Sequence, residues 1–318
     1  MLTHAILATD LSKPSDVLIA KASELHNIGV EKITLVFVYR SLVCSLNIEE
    51  VEMRGLVNIK DLKKKLARQK EQLEEAGFEA TSEFLIGVPS KTLRSAVKDF
   101  QADVLIIGSN GYSESDVVLG STAYEVLNNV ENPVLLMVLQ KEKDSTKAQQ
   151  QPDNRVVGKN ENKEGGSKWT LLSESLTKHI LLPTDFSDFA EEAFQTLKAL
   201  KGNIAELTLM HIQDEVRIKD HLSSKLDEFN KIDTARLGRL KEAFEKAHPE
   251  TKVNTHIAYG KPKEKILDYI NSVRVNRVSL TIMGSQGRGF LSRLFLGSVS
   301  HYVARHADSN VLLVPLKH

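Results

Sequence analysis

Short apolar runs alternate with longer stretches of helical periodicity along most of this chain. In its C-terminal part, runs of aliphatic and β-branched residues predict strands over 178–183, 204–212, 252–258, 278–283 and 310–315. The stretches between them predict helices over 187–200, 219–247, 262–275 and 297–307. Apolar residues of the longest helix recur every three or four positions and form a core stripe, and a similar stripe occurs in the N-terminal part: Leu222, Leu226, Phe229, Leu237, Leu240 and Phe244, and Leu62, Leu66 and Leu73.

Several of the predicted strands are apolar at nearly every position, as in the segment from Val104 to Ile107. A strand that is apolar on both faces needs cover on both, which a parallel sheet with helices on each side supplies. The alternation of such strands with helices therefore predicts a doubly wound α/β fold.

The same pattern occurs twice along the chain. The matching segments are HAILATDLS (4–12) with HILLPTDFS (179–187), ITLVFVYR (33–40) with ELTLMHIQ (206–213), GVPSKTL (87–93) with GKPKEKI (260–266), and VLIIGSNG (104–111) with SLTIMGSQG (279–287). Their order is conserved between the copies, which indicates a tandem duplication. We predict one α/β domain over residues 1–139 and a second over 173–318.

The segment between the copies, residues 140–172, is rich in Gln, Asn, Lys and Glu and has no apolar period. Such a composition buries too little apolar surface to offset the entropy cost of ordering. We expect a flexible polar linker, with an exposed Trp169 near its end. A linker of this length allows the two domains to pair within one chain, and equally allows exchange between chains.

Composition excludes several classes of protein. The chain has 318 residues with 42 Lys and Arg against 42 Asp and Glu, so no basic surplus suggests a nucleic-acid or membrane-surface partner. Its single cysteine, Cys44, excludes an intrachain disulfide and fits a reducing compartment. No run approaches the roughly 20 apolar residues of a membrane span, and the N-terminal apolar run is too short for a signal peptide. We therefore expect a cytoplasmic protein.

A glycine-rich stretch, MGSQGRGFLSRLFLGSVS (283–300), follows the fourth predicted strand of the second copy. Ligands of open parallel sheets bind beyond the carboxyl ends of the strands, so Asp185 and Gly284 should reach the same edge. Glycines permit positive φ and close approach of a ligand to the backbone, and Gly297 and Ser298 precede a predicted helix whose free amides attract anions. The stretch predicts a cradle for phosphate.

These landmarks, Gly284, Gly287, Gly297 and Ser298 after HILLPTDFS and the Gly-x-Pro at Gly260, resemble the ATP-binding branch of the universal stress proteins. The resemblance covers both copies and implies a strand order of 3-2-1-4-5 in each, with ATP or AMP over strands one and four. It places Pro183, Thr184 and Asp185 against the adenosine, Ile212 against adenine, and the glycines, Ser298 and Val299 at the phosphates. Alternatively, Asp185 caps the following helix and Ile212 is ordinary core.

The first copy carries a poorer version of the motif, GSNGYSESDVVLGS, in which the spacing from Gly111 to Gly120 is one residue shorter. Where the second copy has Arg288 and Arg293, the first has Glu114 and Asp116. We predict that the second domain holds the nucleotide and the first binds it weakly or not at all, unless these charges point into solvent. The candidates for a weak first site are Asp10, Val38, Gly108, Gly111, Gly120 and Ser121.

No histidine has the spacing of a metal site or a catalytic triad, so we expect no catalytic residue and no direct protein-bound metal. The preferred function is a nucleotide-binding regulator of the stress response with an unknown protein partner. The alternatives are a slow ATPase, in which Asp185 helps hold a Mg²⁺ that enters with the nucleotide, and a scaffold without nucleotide. The resemblance also implies pairing through the last strands, Val134–Val138 and Val311–Val314, as an intramolecular pseudo-dimer; a further homodimer stays open.

Overall fold

A computed structural model of the chain describes residues 1–40, 58–110, 119–141, 169–173, 175–215, 226–272, 277–287 and 296–317. The first half consists of β1 (His4–Thr9), α1 (Lys13–Ala20), a 3-10 helix (Ala22–Ile28), β2 (Lys32–Arg40), α2 (Ile59–Glu75), β3 (Glu79–Gly87), α3 (Pro89–Asp99), β4 (Val104–Gly108), α4 (Ser121–Leu127) and β5 (Val134–Met137). A short antiparallel ribbon follows, made of β6 (Leu139–Lys141) and β7 (Trp169–Leu171).

The second half repeats the order of the first. Its elements are β8 (His179–Thr184), α5 (Asp188–Lys198), β9 (Glu206–Asp214), α6 (Leu226–Glu245), β10 (Lys252–Gly260), α7 (Pro262–Ser272), β11 (Leu280–Gly284), α8 (Ser298–His306) and β12 (Asn310–Val314). The predicted strands of this half all form. The parts of the two predicted helices that cover 219–225 and 273–275 lie outside the described residues.

Ten strands form one sheet in the order β10-β9-β8-β11-β12-β5-β4-β1-β2-β3. Each half has the predicted order 3-2-1-4-5 with parallel neighbours. The two halves meet where β12 pairs antiparallel with β5, with Leu312 opposite Leu135. The predicted α/β class, with two doubly wound units, is confirmed.

Helices cover both faces of the sheet, which explains why the strands are apolar throughout. Adjacent residues of β1 point to opposite faces: Ile6 belongs to one buried cluster and Leu7 to the other. Each cluster includes residues of both halves, such as Leu182 in the first and Leu181 in the second. The strands of the two halves therefore contribute to a shared pair of cores.

The ends of the predicted linker are ordered. Residues 140–141 lie in β6 and 169–171 in β7, so Trp169 is part of a strand and half-buried rather than exposed. Leu139 donates its backbone N–H to Ser109 Oγ at 3.0 Å, which fixes the ribbon over the end of β4. The middle of the linker, 142–168, lies outside the described residues, and the domain limits remain a prediction.

Candidate functional site

A cavity of about 600 Å³ opens at the carboxyl edge of the second half. Strands β8, β9 and β11 are parallel, so their last residues, Thr184, Asp214 and Gly284, reach the same edge. The volume lies within the roughly 300–1,000 Å³ typical of small-molecule sites. The cavity is lined by all nine residues predicted for this half: Pro183, Thr184, Asp185, Ile212, Gly284, Gly287, Gly297, Ser298 and Val299.

The turn after β8 places Asp185 at the cavity. Ser187, and not Asp185, is the N-cap of α5, because the Ser187 side chain accepts from the amide of Ala190 at 3.3 Å. Asp185 Oδ1 instead accepts from the Ser187 amide at 3.0 Å, a bond that closes a turn two residues long. The alternative that Asp185 is a helix cap is therefore wrong, although the carboxylate does brace its own turn.

The residue between them, Phe186, has φ of 58°, in the left-handed region that bulky side chains rarely adopt. Its amide donates to Thr184 Oγ1 at 3.0 Å. Leu11, at the corresponding place in the first half, has φ of 59° and the same bond to Thr9. This strained turn could not be predicted from sequence, since neither residue is a glycine or an asparagine. Strain of this kind often marks a functional site.

Close approach, and not positive φ, explains the first two glycines of the motif. A Cβ on Gly284 would lie 2.8 Å from the backbone of Phe189, and one on Gly287 would lie 2.8 Å from Asp185 Oδ2. Neither glycine has positive φ, whereas Gly260 of the Gly-x-Pro segment does, at 136°. Of the two properties of glycine, positive φ and close approach, Gly284 and Gly287 therefore use only the second. The absence of a side chain at Gly284 allows helix α5 to pack closely against it, and the absence of one at Gly287 leaves space for the Asp185 carboxylate.

The N-terminus of α8 opens into the same cavity. Gly297 is the N-cap and supplies no side chain, and its own amide donates to Ser285 O at 2.8 Å. Ser298 is exposed, and Ser300 donates its hydroxyl to Gly284 O at 2.8 Å, which ties the helix start to the end of β11. The first-turn amides of a helix have no intrahelical partner and attract anions. Arg288 and Arg293 lie outside the described residues.

The end of β9 contributes both apolar and polar lining. Ile212 is 8% exposed and belongs to a buried apolar cluster, as expected of a core residue. It also lines the cavity, as predicted for a residue that contacts the ligand. His211 lies within β9, and not after it, and donates from Nδ1 to Thr184 O at 2.7 Å. Its Nε2 is 3.5 Å from Asp233 Oδ2 on α6.

Helix α6 closes the outer wall with residues that the sequence reasoning missed. Asp233 and Gln213 are both buried, and Gln213 Nε2 is 3.1 Å from Asp233 Oδ2. Arg236 is half-exposed, with its guanidinium 3.7 Å from Asp233 Oδ1 and 5.2 Å from the centre of the Phe186 ring. Asp233 and Arg236 could have been identified as candidates from sequence, because they are polar residues next to the apolar stripe of the long helix.

The charges around the cavity are mixed. Asp185, Asp214, Asp233 and Arg236 line it. Over the ranges that the structure describes, no group of three or more His, Cys, Asp or Glu side chains is placed to hold a metal ion. An anionic ligand would therefore depend on backbone amides and the α8 dipole more than on these side chains.

The first half has the same backbone at its edge but different partners. Asp10 Oδ1 accepts from the Ser12 amide at 3.0 Å, from the Ser12 hydroxyl, and from the Ser15 hydroxyl at 2.7 Å. The residue that corresponds to Ser15 is Ala190, which has no hydroxyl and lines the cavity of the second half. The Asp10 carboxylate is thus held by two hydroxyl groups of its own turn.

Helix α2 also seals the end of β1. Thr9 donates its hydroxyl to Gln69 Oε1 at 2.8 Å, and Gln69 Nε2 donates to Asp16 Oδ1 at 2.8 Å. Gln69 is 3% exposed. These buried hydrogen bonds join α2, β1 and α1. In the second half, the corresponding helix α6 lines the cavity.

The structure distributes the other first-half candidates along the same edge. Gly108 ends β4, and a Cβ there would lie 3.3 Å from Leu139 Cδ1 of the ribbon. Gly120 is the N-cap of the short helix α4, Ser121 is exposed, and Val38 is half-buried in β2. Gly111, like Glu114 and Asp116, lies outside the described residues.

The universal stress protein family model matches residues 1–137 and 177–315, which is most of both halves. The chain belongs to the universal stress protein family. The two matched segments show that it is a tandem member with two universal stress protein domains.

Curated universal stress proteins match one domain's length of the chain. A relative from Methanocaldococcus jannaschii is 33% identical over 158 residues, which covers 44% of this chain and 96% of the relative. One from Bacillus subtilis is 32% identical over 148 residues, covering 42% and 97%. A solved universal stress protein from Archaeoglobus fulgidus matches the fold over 99% of both chains, with a TM-score of 0.63 and 21% identity.

In the ranges described, every helix is too short or too polar to cross a bilayer.

Proposed function

We propose that this protein is an adenine-nucleotide-binding regulator of the stress response and that its second domain holds the nucleotide. The observation that carries the proposal is that nine residues, from β8, β9, β11, α8 and the turns next to them, line one cavity. The resemblance of the motif to ATP-binding members supplies the ligand class, ATP or AMP. The first domain binds weakly or not at all, because Ser15 and Gln69 occupy the hydrogen-bonding groups of Asp10 and Thr9.

In this proposal, the amides at the start of α8 and the Ser298 hydroxyl hold the phosphates. Ile212 packs on the base, and Asp185 faces the ribose. Glycine is needed at 287 and 297 because a Cβ would lie 2.8 Å from Asp185 Oδ2 and 3.1 Å from Gln286 Cα, so the backbone of this loop lies close to Asp185 at the cavity. Any Mg²⁺ enters with the nucleotide, because Mg²⁺ keeps most of its waters and needs few protein ligands.

The regulatory part of the proposal is that bound nucleotide changes the population of states that bind a protein partner. The chain itself supplies a pair of domains through β5 and β12, so this role does not require a homodimer. The single cysteine fits a cytoplasmic setting.

A pair of matched substitutions tests which half binds. Ser298 and Ser121 are both exposed first residues of their helices, and both follow an N-cap glycine. An aspartate at this position favours the helix through its dipole but repels a phosphate. We expect Ser298→Asp to weaken ATP binding to the full chain by at least about tenfold, with an unchanged or higher Tm.

Ser121→Asp is the control, and we expect calorimetry to give the same affinity and one nucleotide per chain. A loss of binding in Ser121→Asp with none in Ser298→Asp would move the site to the first domain. Absence of binding in the unmodified chain would leave the scaffold alternative.

A further inference from the structure

A polar group of three side chains lies where β9 meets α6. Gln213 comes from the strand, and Asn230 and Asp233 come from the helix. Gln213 is 5% exposed and lines the cavity. A carboxamide buried to this degree normally has partners for both its nitrogen and its oxygen.

The orientation of the Gln213 carboxamide is fixed by its neighbours. Its nitrogen donates to Asn230 Oδ1 at 3.0 Å and to Asp233 Oδ2 at 3.1 Å. A carboxylate oxygen only accepts, so the atom that faces Asp233 must be the nitrogen. Both amide hydrogens are thus used on α6. Among the described residues none donates to Gln213 Oε1, and the residue lines the cavity.

The position of this acceptor suits the base of a nucleotide. A ligand whose phosphates lie at the start of α8 and whose ribose lies at Asp185 extends toward β9. There Ile212 offers an apolar surface, and Gln213 Oε1 offers an acceptor. Acceptors at a base edge favour an amino group and oppose a carbonyl oxygen, because two acceptors would otherwise be left facing each other without a proton.

We propose that Gln213 is a specificity-determining residue that accepts a hydrogen bond from the 6-amino group of the bound purine. Asp233 is the positioning residue, since it holds the carboxamide with its oxygen toward the cavity. This inference rests on the proposed nucleotide-binding function and adds a residue that selects 6-amino over 6-oxo purines.

The first half lacks this device. Tyr39 is the residue of the first half that corresponds to Gln213. Tyr39 pairs with Ile86, the residue before Gly87, and Gln213 pairs with Tyr259, the residue before Gly260. A phenol hydroxyl both donates and accepts, so it does not discriminate between an amino group and a carbonyl. Tyr39→Phe is therefore a matched control.

The test compares ATP with inosine triphosphate, which carries a 6-oxo group and a protonated N1 in place of the 6-amino group. Calorimetry on the full chain should give ATP an affinity about tenfold higher, the value expected for one buried hydrogen bond against one unpaired acceptor. In Gln213→Met, which keeps the side-chain length and removes the carboxamide acceptor, ATP should weaken severalfold, and inosine triphosphate should bind equally well or slightly better because its carbonyl no longer faces an acceptor. The ratio then approaches one.

Two substitutions at Asp233 separate positioning from folding. Asp233→Asn keeps an oxygen for the Gln213 nitrogen and should retain the preference for ATP. Asp233→Leu releases the carboxamide and should lose the preference while inosine triphosphate still binds, which shows that the site is folded. Tyr39→Phe should leave the ratio unchanged.

Equal affinities in the unmodified chain, or a preserved preference in Gln213→Met, would overturn the inference while the proposed function stands. If neither nucleotide binds the unmodified chain, the proposed function fails and this inference fails with it.

Discussion

The two halves of the chain have the same backbone at the edge of the sheet and different side chains around it. Both turn sharply after the first strand, with Leu11 and Phe186 in the left-handed region. In the first half, Ser15 binds the turn aspartate, and in the second the corresponding Ala190 faces a cavity. The turn is thus common to both halves, and the halves differ in the side chains that surround it.

A difference in packing beneath the edge should give the largest effect. Gly284→Ala places a methyl 2.8 Å from the backbone of Phe189, which can only move with helix α5. We expect the free energy of unfolding to fall by about 2–3 kcal/mol. Gly108→Ala meets the end of a flexible side chain, Leu139 Cδ1, at 3.3 Å, and should cost about 1 kcal/mol or less. Urea denaturation of the full chain measures both.

Equal losses in the two alanine variants would mean that the helices of the two halves approach their glycines alike. The difference between a contact with backbone and a contact with a side chain would then not affect the free energy of unfolding.

An exchange at the turn should have the next largest effect. Ala190→Ser gives Asp185 the hydroxyl donor that Asp10 receives from Ser15, so the carboxylate has less capacity for a ligand. We expect ATP affinity to fall about fivefold, close to the net value of one hydrogen bond. Calorimetry checks this. Ser15→Ala is the converse change, and we expect it to leave the affinity unaltered; a gain in ATP affinity in Ala190→Ser would contradict the comparison.

Lowering the pH should reduce the stability of the first half more than that of the second, because only the first half has Asp103. Burial raises the pKa of this carboxyl, but bonds from the His4 amide and from the Thr3 hydroxyl and amide outweigh it, and the net pKa is lowered. A lowered folded-state pKa gives stability that is present above the unfolded pKa of about 4 and lost as pH falls through the folded value. Ser279 accepts the corresponding amide bond, from His179, without a charge.

We therefore expect Asp103→Asn to destabilise the chain by about 1 kcal/mol at pH 7, a value reduced for the exposure of the group, and by less at pH 3. Denaturation at the two pH values measures the difference. Ser279→Ala should lose the same amount at both. A pH-independent loss in Asp103→Asn would show that the charge is not responsible.

The smallest effect should come from His301 on α8, which packs against Tyr124 of the first half with ring centres 5.8 Å apart. Burial lowers the pKa of His301, and the charges of Arg305 and His306 lower it further. Its contribution is complete above the unfolded pKa of about 6.5 and is lost as pH falls through the lowered value. His301→Gln should reduce the fall in stability from pH 8 to pH 5 by about 0.5 kcal/mol or less. An unchanged pH profile from thermal melts would exclude His301 as the source.

The fold was accessible from sequence because its signals are local and repeated. Strands such as β8 and β11 are continuous apolar runs, and each segment occurs twice, so the same strand is predicted independently in both copies. The residues at the cavity edge were accessible for a related reason, since the topology of a parallel sheet brings the strand ends Asp185 and Gly284 together. The positions of Pro183, Thr184, Ile212 and Val299 were predicted instead from the resemblance to the universal stress proteins.

Features that depend on packing between distant segments were not accessible. Gly284 is small because α5 approaches it, and that approach involves Phe189 and not a local turn. Gln213 and Asp233 meet only when α6 packs on β9, 20 residues apart in the chain. The Gln69 bridge to Thr9, at a separation of 60 residues, has the same character. Such contacts have no periodicity in the sequence.

The antiparallel junction of β5 with β12 makes two partners out of one polypeptide. In a dimer of identical subunits every mutation appears twice, so neither site can be altered alone. Tethering sets the local concentration of one partner around the other, whatever the amount of protein in the cell. The two copies can therefore differ, as they do at Ser15 and Ala190, and every molecule contains one of each.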